Sequence, residues 1–178
     1  MKRRGRLMPK RRSRLAGRRG FLLALIFAAI AVARWSLHEP EPPSPESLAE
    51  GVCEVQRVVD GDTLLLANGA RVRLIGVDTP ETVKSSQPVQ PWGPEAAEFT
   101  RQFVAGGTVR LQFDRERIDR YGRFLAYVWV NDRLLNEELV RAGLARMEPQ
   151  YRYARAMKER LRRAEQEAKD AGRGIWSQ

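Results

Sequence analysis

Hydrophobic and polar positions divide the chain into three regimes. Residues 21–33, FLLALIFAAIAVA, form an unbroken apolar run behind a basic segment, 1–20. Residues 34–50 lose all periodicity, with Pro40, Pro42, Pro43 and Pro45 set among Glu and Ser. From Gly51 onward the pattern becomes strand-like. Val52–Val59 and Thr63–Leu66 read as strands, and Asn68-Gly69 as a hairpin turn, because both residues tolerate positive φ. Arg71–Val77 is the returning strand. A two-residue turn at that point pairs position i with roughly 137 − i, which sets residue 62 opposite 75. After a loop, Thr82–Gly93, Pro94 suits the first turn of a helix whose apolar stripe is Ala96, Phe99 and Phe103. Gly106-Gly107 stops it. Val109–Phe113 and Leu125–Val130 are further strands, separated by a charged segment. Asn136 is placed to cap a short helix, Glu137–Ala142, closed by Gly143. Arg155–Ala171 is a longer helix, with Met157, Leu161, Ala164, Ala168 and Ala171 on one face and Gly172 as its stop. The fold class expected is α+β, mainly β: five short strands with interleaved helices fit a small closed barrel of the OB type, which periodicity alone does not select over other α+β folds.

The first two regimes read as an export leader and a linker. Thirteen apolar residues are short for a spanning helix, which needs about 20, and normal for a signal peptide. Ala31-Val32-Ala33 offers a cleavage site, and Arg18-Arg19 resembles a twin-arginine export signal. The expectation is therefore a signal peptide over 1–33 and an exported domain, periplasmic or secreted. An uncleaved signal anchor is the alternative, with the domain still outside the cytoplasm. Residues 34–50 read as an extended linker, and 51–178 as the folded domain. A monomer is expected.

Charge changes the picture less than its total suggests. The net charge is +10, but eleven of the 32 Lys and Arg lie in residues 1–34, which hold no acid. The rest of the chain carries 21 basic residues against all 22 acids, a net of −1. Bulk charge is thus no argument for a polyanionic substrate, and any basic footprint must be local. The single cysteine, Cys53, reads as a small buried apolar residue. The single histidine, His38, lies in the linker, which argues against a His-based nucleophile relay or a His-ligated zinc in the domain.

Two clusters carry candidate chemistry. Asp60-Gly61-Asp62-Thr63 joins the first two strands, and Asp78-Thr79-Pro80-Glu81 follows the third. Hard oxygen donors without nearby Cys or His suit Ca²⁺ or Mg²⁺ and suit Zn²⁺ poorly. Along the strand direction Asp62 and Asp78 start roughly 10 Å apart, so a twist or bulge is needed to bring them together. Arg73 lies between the acidic motifs, and Arg123 ends Asp119-Arg120-Tyr121-Gly122-Arg123. Two guanidinium groups flanking a metal are what phosphoryl displacement needs, because planar N–H forks bind the growing equatorial charge. Acids at strand ends are also commonly just solvated, and surface arginines commonly make weak ion pairs; that plainer reading is preferred for Arg117 and Arg120. Trp92 fits base stacking or core packing equally.

The stretches VVDGDTLLL, VRLIGVDTPET, WGPEAAEFT, DRYGRFLAYVWV, LNEELVRAGLA and GIWSQ, in this order, resemble the staphylococcal nuclease (thermonuclease) family over Val52–Gln178. The resemblance implies an OB barrel with three helices that hydrolyses DNA and RNA. It implies one Ca²⁺ held by Asp62, Asp78 and the Thr79 carbonyl, with Glu81 handling the attacking water. Arg73 and Arg123 would bind the scissile phosphate, and Tyr121 and Tyr151 would line the nucleotide pocket. Three features depart from the staphylococcal enzyme. The hairpin is about three residues shorter, the Thr82–Gly93 loop has Lys84 as its only cation, and Pro149 replaces a tyrosine. The rival reading is a non-catalytic OB-fold module that binds nucleic acid. A binder gains nothing from carboxylates where phosphates approach, since like charges repel unless a cation intervenes. A surface-tethered structural protein would account for residues 1–50 alone.

Overall fold

The computed structural model describes residues 48–82 and 89–177. The expected leader, most of the linker, and Lys84 lie outside the described residues. Among the described residues no helix is long and apolar enough to cross a membrane.

Five strands close a barrel: β1 (Gly51–Asp60), β2 (Thr63–Leu66), β3 (Arg71–Leu74), β5 (Thr108–Ile118) and β6 (Phe124–Val130). They pair in the order β3-β2-β1-β5-β6, and β3 pairs with β6 to complete the ring. All neighbours are antiparallel except that last pair. Register shifts between Val55 and Arg57 and between Val58 and Asp60 let β1 coil. Its first half pairs with β5 and its second with β2, the device by which a small sheet closes on itself. Strand alternation fills the interior: Leu64, Leu66, Val72, Leu74, Val109, Leu111 and Phe113 are all buried. Helix α1 (Gly93–Phe103) packs on β1, α2 (Leu135–Arg141) on β6, and α3 (Arg155–Asp170) on α2. Two-residue strands β4 (Val77–Asp78) and β8 (Arg146–Met147) pair beside the barrel, and β7 (Arg133–Leu134) folds back antiparallel on the end of β6. The barrel with three helices is the architecture that the family resemblance implied and that the strand pattern fitted.

Four expectations need correction. The β2–β3 register is Thr63↔Arg73 and Leu64↔Val72, one residue away from a two-residue turn. The Ala70 carbonyl accepts from Leu66 N, the Asn68 side chain accepts from Ala70 N, and Gly69 has φ 82°. The loop is therefore three residues long, with its glycine in the left-handed region. The predicted strand Arg71–Val77 breaks at Gly76, whose φ is 77°, and resumes as β4 in a different pairing. The segment after Phe113 is not a connection, because β5 continues to Ile118 as an exposed arm. Asn136 does not cap α2. It lies inside the helix, fully buried, with Oδ1 accepting from Val128 N and Nδ2 donating to the Ile75 carbonyl at 2.9 Å. Cys53 is half-buried against the core, and burial pushes its thiol pKa up, consistent with an inert packing role.

Candidate active site

The break at Gly76 builds the site. Leu74 N donates to the Asp62 carbonyl, so the ladder holds up to this level. Beyond it the left-handed glycine turns the chain out of the barrel and into β4, where Asp78 sits opposite Arg146. No side chain fits at 76, since a Cβ there would lie 2.7 Å from the Tyr153 ring. The turn folds the Asp78–Glu81 segment back over the β1–β2 corner. Asp62 receives it: Oδ2 accepts from both the backbone N and the Oγ1 of Thr79 at 2.9 Å, and Oδ1 accepts from Thr63. Asp60 holds the far end, its Oδ1 accepting from Thr82 Oγ1 at 2.7 Å. Helix α1 braces the corner through Thr100 Oγ1, which donates to the Gly61 carbonyl at 2.6 Å.

Arg73 lies between the two acidic motifs. Nη2 donates to Asp78 Oδ1 at 2.8 Å, and Nη1 is in ionic contact with Asp62 Oδ2. Nη1 is buried and lacks a well-formed hydrogen bond. Burial works against the Arg73 charge, but Asp62, Asp78 and Glu148 outweigh it and hold the pKa above its ordinary value. The carboxylates are crowded. Desolvation pushes Asp78 up; Asp62 and Glu81 add to it against the pull of Arg73. Desolvation also raises Glu148, with Asp78 adding to it, and raises Asp60.

Arg123 arrives from the other side. The parallel β3–β6 pairing sets Arg73 beside Leu125, so the residue before β6 falls near the same end of the barrel. Arg73, Asp78, Tyr121, Arg123, Glu148 and Tyr151 line one cleft of about 330 Å³. Both tyrosines are exposed along it, Tyr121 at 67% and Tyr151 at 51%. Asp62 and Thr79 lie behind Arg73, both buried, and Glu81 follows two residues on, electrostatically coupled to Asp78. Of the eight sequence candidates, five line the cleft, Asp62 and Thr79 join it through Arg73, and Glu81 is tied to it by its coupling to Asp78. Trp92 does not line this cleft; it lines a separate depression together with Pro80, Gln90 and Arg146.

Two residues at the site escaped the sequence reading. Glu148 reaches the cleft because its N–H donates to the Gly76 carbonyl beside the β4–β8 pair; nothing in the local pattern announces this. Asp119 accepts from the side chain of Arg123, and its spacing four residues before that arginine, across Tyr-Gly, was the available signal.

Can these residues hold a metal? Among the described residues no cage of three or more Asp, Glu, His or Cys side chains is preformed. The donors at hand are the Asp62 and Asp78 carboxylates, with Asp60, Glu81 and Glu148 coupled to them and Arg73 the cation between. An all-oxygen set with surplus negative charge fits a hard divalent cation completed by water and backbone carbonyl.

Comparison with known proteins agrees with this geometry. Residues 71–178 match the family model described as staphylococcal nuclease homologue. The chain is 39% identical over 165 residues to the thermonuclease of Staphylococcus hyicus, covering 88% of this chain and 95% of that protein. It is 54% identical over 95 residues to the thermonuclease of Staphylococcus intermedius, covering 52% and 56%. It is 41% identical over 131 residues to endonuclease YncB of Bacillus subtilis, covering 69% and 60%. This chain belongs to the staphylococcal nuclease family of hydrolytic nucleases.

Proposed function

We propose that the protein is a Ca²⁺-dependent phosphodiesterase that hydrolyses both DNA and RNA. The observation that carries this reading is Arg73 bridging Asp62 and Asp78 at the floor of a cleft whose wall presents Arg123. Names given to relatives, thermonuclease and endonuclease, point the same way.

Asp62, Asp78 and the Thr79 carbonyl would hold the ion. Bound there, Ca²⁺ would offset phosphate charge and favour attack by water at phosphorus. Glu81 orients that water or takes its proton. Arg73 and Arg123 offer N–H forks to the phosphate oxygens, where charge grows in the transition state. Tyr121 and Tyr151 flank the nucleotide. Mg²⁺ is a poor substitute, because it demands tight octahedral geometry and releases water reluctantly.

The rival reading, a binder that does not cut, is separated by one assay. An end-labelled single-stranded DNA, and separately an RNA, is incubated with the full chain in Ca²⁺. Shorter labelled products are expected from both. A retarded complex with the label still on full-length strand would establish the binding module instead.

A further inference from the structure

We propose that Asp119 is a positioning residue: its carboxylate fixes the orientation of the Arg123 guanidinium and of the turn that carries Tyr121. The inference rests on the phosphate role of Arg123 proposed above and assigns a function to a residue outside that set.

Both oxygens of the Asp119 carboxylate are engaged, by three hydrogen bonds and an ion pair. Oδ1 accepts from the backbone N–H of Tyr121 at 2.8 Å and of Arg123 at 3.0 Å. Oδ2 accepts from Arg123 Nε at 2.7 Å, and Nη2 lies 2.7 Å from the same oxygen. A carboxylate offers about four lone-pair sites, and with both oxygens held from different atoms of the turn and the guanidinium this one cannot rotate without breaking several contacts. Its own backbone closes the same turn: the Asp119 carbonyl accepts from Gly122 N, and Asp119 N donates to the Arg123 carbonyl. Gly122 supplies the positive φ, 74°, that the turn requires.

This arrangement engages one edge of the guanidinium. Of its five N–H donors, the Nε and inner Nη2 hydrogens face Asp119. The Nη1–Nη2 edge, with its two parallel N–H bonds, is the one left to grip a phosphate. An arginine without such a rail samples many rotamers, and a displacement of about 1 Å at a reacting group can cost on the order of 100-fold in rate. Asp119 and Arg123 are both largely shielded, with side chains 15% and 28% exposed, so the pair is held where solvent competes weakly. Burial alone would raise the Asp119 carboxyl; the bonds from Arg123 and Tyr121 outweigh it and lower the pKa, which keeps the acceptor ionised at neutral pH. Tyr121 is set by the same device, its ring under Arg120 and Arg123 and its hydroxyl accepting from Arg120 Nη2 at 2.7 Å.

A double-mutant cycle tests this on the full chain with a labelled oligonucleotide in saturating Ca²⁺. The proteins are wild type, Asp119→Asn, Arg123→Ala and the double variant. Asparagine keeps an Oδ1 acceptor for the turn but sets an N–H₂ against Arg123 Nε. Asp119→Asn is expected to lower kcat about 100-fold, move KM by less than about threefold, and leave calorimetric Ca²⁺ binding unchanged. Added to Arg123→Ala, it should cost less than about twofold, since the group it positions is gone. Asp119→Ser, whose hydroxyl also caps such turns, should behave alike and covers a folding defect in Asn. The same loss with and without Arg123, or no loss in either background, overturns the proposal. Full activity in Arg123→Ala alone would instead overturn the phosphate role on which it rests.

Discussion

Replacing Asn136 with alanine should cost far more stability than its size suggests. The side chain is fully buried and joins two segments of chain that otherwise have no partner for these groups. Oδ1 accepts from Val128 N at 3.0 Å, and Nδ2 donates to the Ile75 carbonyl at 2.9 Å and more weakly to the Ala126 carbonyl at 3.4 Å. Ala126 keeps another partner, because Ile75 N donates to it at 3.0 Å. Truncation therefore orphans two buried backbone groups, the Val128 N–H and the Ile75 carbonyl. At roughly 1–3 kcal/mol for each unsatisfied group, the loss is about 2–6 kcal/mol, before the small cavity is counted. That is a large fraction of the roughly 5–15 kcal/mol that a domain has in total. In a domain of this size the melting temperature should fall on the order of 10–20 °C. Ile75 also precedes the Gly76 turn that delivers Asp78, so Ca²⁺ affinity should weaken well below the melting temperature. Circular dichroism melting and urea titration measure the first effect, calorimetry the second. A loss below about 1 kcal/mol would show that water or other groups replace the amide, and would refute this reasoning.

Other perturbations follow from the same geometry. Arg123→Lys keeps the charge but not the planar fork, so kcat should fall on the order of 10²–10³-fold; a folded variant within threefold of wild type would reject the clamp. Asp62→Ala should weaken Ca²⁺ binding and regain part of its rate at high Ca²⁺. Glu81→Gln should lose about 10²–10⁴-fold in rate that calcium does not restore, and full calcium rescue would make Glu81 a ligand only. Asp114 links β5 to the start of α3: its Oδ2 accepts from Tyr127 Oη and from Ala154 N, each at 2.7 Å. Burial opposes its charge, but these bonds outweigh it and lower its pKa in the folded state. A depressed carboxylate stabilises fully above its unfolded pKa of about 4, and that contribution is lost as pH falls through the lower folded value. Asp114→Asn should therefore flatten the decline of unfolding free energy below about pH 4.5; an unchanged slope in urea titrations would remove Asp114 from this role.

Much of the barrel was legible because strand alternation and turn glycines report local geometry. Thr63–Leu66, the helix started by Pro94 and the helix ended by Gly172 lie where the pattern sets them. What was not legible depends on distant partners. The register slipped by one because Asn68 accepts from Ala70 N and so favours a three-residue loop over the tighter Asn-Gly turn. Asn136 resembles a cap in sequence, yet its amide is drawn inside by unpaired groups on β6 and at Ile75. The charged run after Phe113 looks like a loop because its outer face is solvated, although Ile118 still pairs with Phe124. Among the site residues, Asp62, Asp78, Arg73 and Arg123 were legible as short motifs around the barrel strands. Glu148 directly follows β8, seventy residues beyond Asp78, and only the β4–β8 pairing brings it to the cleft. Asp119 was visible but mute, since a carboxylate in a turn has many plain uses.

The central claim is metal-dependent hydrolysis, and it is tested most directly by incubating the full chain with supercoiled plasmid and with RNA, in Ca²⁺ and in excess EGTA. The account predicts degradation of both substrates in Ca²⁺, none in EGTA, and recovery when Ca²⁺ is added back in excess. Undiminished degradation in EGTA, or intact substrates in Ca²⁺, would contradict it.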